Sequence, residues 1–357
     1  MSQTLSLLQI YFEHFNSVVP LFDQTSFMAK IEQRFTQDLR SDRAWWGALN
    51  VMLSLAFRLQ AILIGSNEDN DRRSWRFLQY ALSVIPDLTF GDTSLLGVQT
   101  LLGMVIILQG TFNPHAAAVL IATAIKLLHQ LGLHENTPNS GTYTHRIDQR
   151  NRTIWVAYIL DKDHSLQYGQ PPLLCDDDLD VAVPSENPPD GLGIIIDPVE
   201  SQTLNLFRLR VHLAIIEDKI YTRLYSLQAL KSSLQLRDCA VRDLSRALEK
   251  WQGGVPSSFQ PKTICTHSTS ISVTHLVILH LSYFHCLTMV YGVAFQSYPW
   301  VAMTFHSVAQ DHSKSPLWYS LELCRPAARD AVKLMRLLPQ GDYACVWYVH
   351  LFPVQLC

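Results

Sequence analysis

The sequence predicts an all-α fold, and three observations carry that expectation. Apolar residues recur at spacings of three and four along nearly the whole chain, the period of a helix face. Strand-like alternation is scarce. Asp, Ser or Thr precedes several of the periodic stretches, and Gly or Pro follows them, as helix starts and stops require. Of the 357 residues, 48% are hydrophobic and only 17% are charged. Much of the chain must therefore be buried in a sizeable core or against a partner. The expected architecture is one large bundle-like helical unit over 1–357. It holds about a dozen helices, with room for two lobes.

Asp42 is placed to cap a helix over 43–64, and Gly65 to close it. Asp71 is placed to cap 72–85, which Pro86 bounds, and Thr93 or Ser94 can open 95–108. The longest apolar run, 101–108, is too short to span a bilayer and reads as a buried core helix. Pro114 suits the first turn of a helix over about 115–131. That stretch is apolar almost all round, which predicts a place in the middle of the bundle. Gly132 fits the left-handed position after it, with Leu133 folding back as the apolar contact of a Schellman ending.

A further helix is expected over about 148–168, where Ile154 and Tyr158, and Trp155 and Ile159, lie four apart on a wide apolar face. Residues 171–200 hold five prolines before Asp190 and form the one clear connector, with a hinge near 185–200. Helical pattern resumes over 204–227 and 229–251, and Gly253, Gly254 and Pro256 end it. An apolar, histidine-rich block covers 267–295, followed by 317–338 and a last helical piece from Tyr343.

Composition narrows the function classes. The formal net charge of −3 predicts no basic nucleic-acid face. The 7 cysteines are odd in number and none stand at CxxC spacing, so neither a disulfide framework nor a zinc site is indicated. Lying mostly in apolar helices, they read as buried, inert thiols. The first residues have no basic start and no small-residue cleavage site of a secretory signal.

Asp176, Asp178 and Asp180 fit the start of a calcium loop, but Val181 stands where the loop needs glycine and Asn187 where it needs glutamate. The same run matches the DDxxD pattern that binds magnesium in terpene synthases, and Asn70, Asp71 and Ser74 begin that family's second magnesium motif. Leu78 occupies the position where that second motif wants a carboxylate, the two motifs stand in reversed order, and the aspartates lie in the connector. A solvated acidic turn is the better reading. His275, His280 and His285 are five apart, which turns each about 140° from the last, so they cannot share a face as metal ligands. Gly191-Leu192-Gly193 lacks the third glycine of a dinucleotide loop. Arg72-Arg73 and Arg146, Arg150 and Arg152 are the densest basic groups and read as surface or interdomain pairing. No catalytic, cofactor-binding or metal residue is assigned.

A series of short motifs remains. Tyr11, Phe12 and Phe15 lead to Pro20-Leu21-Phe22 and Ser26-Phe27. A central helix ends in Gly132-Leu133-His134. Arg150 and Arg152 lead to Trp155 and Asp161, then Gly169 and Pro171, then Asp178, Asp180 and Pro184. Cys324 is followed by Ala327-Ala328-Arg329. In order and spacing this resembles the middle homology region of fungal binuclear zinc-cluster transcription factors.

The resemblance implies an all-α regulatory domain of a nuclear transcription regulator, controlling a metabolic or secondary-metabolite gene set. Its expected partners are other transcription proteins or a second copy, with a small-molecule effector as a further candidate and no membrane. Cys175 is the first cysteine, so no zinc cluster precedes these motifs. The chain is thus expected to carry no cofactor and to make no direct DNA contact, zinc belonging to the N-terminal cluster of relatives. The end at Cys357 is expected to be short of the family's C-terminus.

Three departures, Asn151, Lys162 and Gln170 in place of arginines, are expected to weaken any charge network in that corner. Gly132, Leu133, His134, Arg150, Arg152, Trp155, Asp161, Gly169, Pro171, Asp178 and Pro184 are read as architecture. Gly132 reverses the chain, Trp155 fills core volume, and Asp161 accepts from Arg152 or from loop amides. Gly169 and Pro171 fix the exit. The alternatives are a small-molecule scaffold whose pocket is lined by Trp and Tyr, and, last, a magnesium-dependent diphosphate enzyme.

Overall fold

Capping chemistry sets several of the helix starts. In the computed structural model, which describes residues 2–34, 42–64, 68–109, 114–135, 144–197, 200–264, 270–296 and 316–338, the Asp42 carboxylate accepts the Trp45 amide at 3.0 Å. Ser94 accepts the Gly97 amide at 3.1 Å. Asn205 and Ser233 accept the amides of Arg208 and Leu236. The N-terminal half holds α1 (Ser2–Tyr11), α2 (Gln24–Arg34), α3 (Arg43–Ile64), α4 (Glu68–Leu82), α5 (Ile85–Phe90), α6 (Leu95–Gln109), α7 (Pro114–Gln130) and α8 (Thr144–Tyr168). After the connector come α9 (Leu206–Ile220), α10 (Leu227–Leu230), α11 (Leu234–Gly253), α12 (Ser270–Gln296) and α13 (Pro316–Met335). The all-α expectation holds.

Several boundaries differ from the sequence expectation. Asp71 lies inside α4, which begins at Glu68 instead of after Asp71. Pro86 sits in the first turn of the short α5. Helix α8 starts at Thr144, four residues before Asp148. The stretch expected as one helix over 204–227 begins as a strand and ends in a π-helical turn, Tyr221–Tyr225, before Ser226 caps α10. The connector holds a 3-10 turn at Asp176–Asp178 and part of a two-stranded antiparallel ribbon, β1 (Ile194–Ile196) with β2 (Thr203–Asn205). Gly65 and the piece from Tyr343 lie outside the described residues.

The centre of the first half is α6, where eleven consecutive or near-consecutive side chains from Gly97 to Leu108 are buried. Helix α7 does not take that place: His115, Val119, Ala122, Lys126 and Gln130 form an exposed stripe, with Val119 at 64% exposure. A helix of mostly small apolar residues leaves enough freedom for one face to meet solvent. Among the described residues two helices, 43–63 and 271–293, reach the length and mean hydropathy (1.3 and 1.6) of a bilayer span, longer than the run at 101–108 suggested. They are 67% and 72% buried within the protein, as core helices are.

The buried apolar side chains fall into two clusters. One is built by α1 to α8. The other is built by α9 and α11 to α13, with Val18, Leu166, Ile195 and Leu204. Helix α9 serves both: Phe207, Val211 and Ala214 face the first cluster, and Leu213, Ile216 and Ile220 the second.

Candidate functional site

The motif residues gather at one corner, where the end of α7, the length of α8 and the strap 170–192 meet. Helix α7 ends in a full Schellman motif. Gly132 has φ +61°, its amide reaches His129 O at 3.0 Å, and the Leu133 amide reaches Leu128 O at 3.1 Å. Leu133 is buried. Arg150 donates to Gly132 O at 3.0 Å, and the Asp180 amide donates to His134 O at 3.0 Å. The His134 ring packs edge-on against His129 at 4.8 Å. Burial, then His134 and Lys126, hold the His129 imidazole below its usual range, against a raising pull from Asp178.

Helix α8 ends the same way. Gly169 has φ +64° and the Gln170 amide reaches Ser165 O at 3.1 Å. The exposed Pro171 then turns the strap back along α8. Asp161, buried within α8, accepts the Leu173 and Leu174 amides at 3.0 Å each. Trp155 fills core volume and its indole donates to Ala182 O at 2.9 Å. Arg152 goes to Asp190 instead of Asp161, in a two-pronged pair at 2.7 and 2.8 Å. Burial alone would raise the Asp190 carboxyl, but Arg152 and the Leu192 amide outweigh it and hold it low. Pro184 O accepts from Arg208. Asp178 stands exposed in the 3-10 turn, its amide on Cys175 O. All eleven motif residues thus serve or flank this clamp of strap on helix.

The acidic run itself is an outward turn. Asp176, Asp177, Asp178 and Asp180 are exposed, and Asp176 accepts the Tyr158 hydroxyl at 2.6 Å. Ser74, on α4, is buried and bonded to Ser54. Among the described residues no group of three or more His, Cys, Asp or Glu side chains is placed to hold a metal ion. Of the cysteines whose side chains are described, Cys286 is buried as expected, whereas Cys175 and Cys239 are exposed.

The sequence reading missed a second polar structure, a layer of buried ions between α8 and α9. The replacement expected to weaken the charge network sits at its centre. Lys162 is 1% exposed; its ammonium meets Asp218 at 2.7 Å and Asp161 at 3.5 Å. It lies 4.7 Å over the Tyr158 ring and also donates to Leu174 O. One residue on, Asp163 pairs with Arg210, and Arg210 bonds Glu217 at 3.2 Å. Polarity therefore reverses along α8: a cation reaches α9 from Lys162 and an anion from Asp163. Burial lifts Glu217 to about 8 against the pull of Arg210, with Asp163 adding to the rise. Burial likewise raises Asp163 against Arg210, and Asp218 against Lys162. The signal in the sequence was charge inside apolar helices: Asp161-Lys162-Asp163, and Arg210 seven residues before Glu217 on one face.

Asp163 and Arg210 also line a cavity of about 200 Å³ where the two apolar clusters meet. The rest of its wall is mostly aliphatic, with Phe15 and Phe207 and the polar side chains of Arg58, Gln109, Thr274 and His275. Neither Trp nor Tyr lines this cavity, Trp155 and Tyr158 being turned to the strap, whereas Trp45 lines a second cleft, with Phe22, Phe27 and Arg150. Histidines 275, 280 and 285 point to separate partners: His275 to His14 O at 3.2 Å, His280 to Phe259 O at 2.8 Å, and His285 to the neighbourhood of Arg210. Burial holds all three rings down at about 4, neutral at neutral pH.

Residues 8–253 match the family described as fungal specific transcription factor domain. The chain is 37% identical over 356 residues to an ABC-transporter-regulating transcription factor of Aspergillus oryzae, covering 99% of this chain and 40% of that protein. It is 29% identical over 338 residues to the fusaridione A cluster transcription factor of Fusarium heterosporum, covering 94% and 62% respectively. The chain spans about two fifths of the length of the Aspergillus relatives it matches. No solved structure matches it.

Proposed function

Because the chain belongs to the fungal specific transcription factor domain family, a transcription-regulator family, we propose that it is a regulatory domain controlling a set of export or biosynthetic genes in the nucleus. The observation that carries this is the match along 99% of the chain to a factor named for regulating an ABC transporter. The geometry supports a module that packs and relays without catalysis: the motif residues bind chiefly one another and the backbone, and of them Leu133 and Arg150 also line an open cleft beside Trp45 and Gln149. DNA contact is assigned to other parts of a longer protein, in keeping with the net charge of −3. The chain itself is proposed to hold no cofactor and to work against other transcription proteins or a second copy.

The test is to fuse the chain to an unrelated DNA-binding domain above a reporter in a fungal host. A changed reporter output, lost when the clamp is disrupted by Asp161→Ala, is expected. An output equal to that of the DNA-binding domain alone overturns the regulatory reading. Tight, sequence-specific binding of the chain to duplex DNA in fluorescence anisotropy at moderate salt overturns the division of labour.

A further inference from the structure

We propose that the cavity between the two apolar clusters is a binding site for an uncharged, largely apolar small molecule, a single ring with a short tail, carrying one hydrogen-bond donor. At about 200 Å³ the space exceeds the roughly 150 Å³ apolar cavity that is known to take up benzene. Its wall draws on the first cluster through Phe15 and Leu55 and on the second through Val18 and Leu279, so an occupant touches both. Binding there couples the two halves of the chain.

The wall chemistry selects the ligand class. The polar side chains at the wall are Arg58, Gln109, Asp163, Arg210, Thr274 and His275. Asp163 and Arg210 are committed to each other, Arg210 also to Glu217, and Arg58 donates to Ile107 O at 3.2 Å. An ionised ligand would surrender its hydration to a mostly apolar wall in which Asp163 and Arg210 already neutralise each other and the Arg58 guanidinium is engaged by a backbone carbonyl. His275 is different. A carbonyl only accepts, so the contact with His14 O fixes the proton on Nε2 and leaves Nδ1 as an acceptor. Burial keeps this ring neutral. A hydroxyl or N–H on the ligand is its natural complement.

The test is isothermal calorimetry on the whole chain at pH 7.5 with three probes: 4-propylphenol, its methyl ether, and 4-propylbenzoate. The phenol should bind at one site. The ether, which lacks the donor, should bind at least about fivefold more weakly, and the ionised benzoate at least about tenfold more weakly. Ile278→Phe, which fills the cavity, should abolish phenol binding. Ile106→Phe serves as a second filling variant, with helix content checked by circular dichroism. No heat from any probe, unchanged binding in a folded filling variant, equal binding of phenol and ether, or tighter binding of the benzoate each overturns the assignment. The readout is binding alone, so its failure leaves the transcriptional reading standing.

Discussion

Helix α8 carries two polar structures on different sides, and they are held in opposite ways. On the strap side, side chains mostly meet backbone: Asp161 meets two amides, Trp155 and Arg150 each a carbonyl, while Arg152 with Asp190 and Tyr158 with Asp176 pair side chain to side chain. On the α9 side, side chains meet side chains: Lys162 meets Asp218, Asp163 meets Arg210. The strap contacts made through backbone tolerate changes in the strap's own sequence, because every residue there offers a carbonyl and every one but proline an amide. The ion layer tolerates no loss of one partner from its two cross-helix pairs, Lys162 with Asp218 and Asp163 with Arg210. Removing one partner of a buried pair leaves an uncompensated charge, and that penalty exceeds the net value of the pair. The clamp orients a segment; the layer fixes the register of two helices between two apolar clusters.

If that contrast is right, the largest loss follows Lys162→Met, which strands Asp218 beside a buried helix. Urea unfolding should show a loss of about 3–5 kcal/mol; a loss under about 1 kcal/mol would break the comparison. The same layer should be visible in pH dependence. Glu217 titrates at about 8 in the fold and near 4.3 unfolded. Its raised value means that its contribution is complete at low pH and is lost as pH rises through about 8. Glu217→Gln should melt close to the parent protein at pH 5 and above it at pH 8.5. The buried histidines act oppositely: held at about 4, their contribution is lost as pH falls from about 6.5.

On the strap side the effects should be smaller. Asp161→Ala leaves two loop amides without their charged acceptor and should cost about 2–3 kcal/mol in urea. Gly132→Ala meets no atom within 4 Å, so only the left-handed backbone at φ +61° opposes it. A loss of about 1–2 kcal/mol in thermal melts is expected. Arg152→Ala should cost at most about 1 kcal/mol, and less at high salt, because Asp190 is one-third exposed. A larger loss there would mean that the two sides are not so different.

What the sequence made legible follows the same divide. Gly132 announces a left-handed helix ending by local rules alone and obeys them, and Gly169, read with Pro171 as fixing the exit, turns out to take the same left-handed backbone. Trp155 and the reversal into Pro171 are likewise local. The amides held by Asp161 lie twelve and thirteen residues away, near enough to guess. Lys162 with Asp218, and Asp163 with Arg210, join residues 56 and 47 apart across a connector whose path no local rule fixes. Lys162 looked like a weakened arginine because its partner could not be seen. The exposed stripe of α7 was hidden for a related reason: a helix rich in alanine shows little contrast between its faces, and its neighbours decide which one is covered.

The ring of His275 on the carbonyl of His14 closes a span of 261 residues, and the Gly193 amide on Ser17 O closes another. A ribosome adding about 5–20 residues per second delivers the first of these partners roughly 13 to 50 seconds before the second. For that interval the opening helix has only its nearer neighbours to rest on. The contact of His275 with His14 can form only after α12 has emerged, so this part of the seam between the two cores closes later than the packing within the first of them.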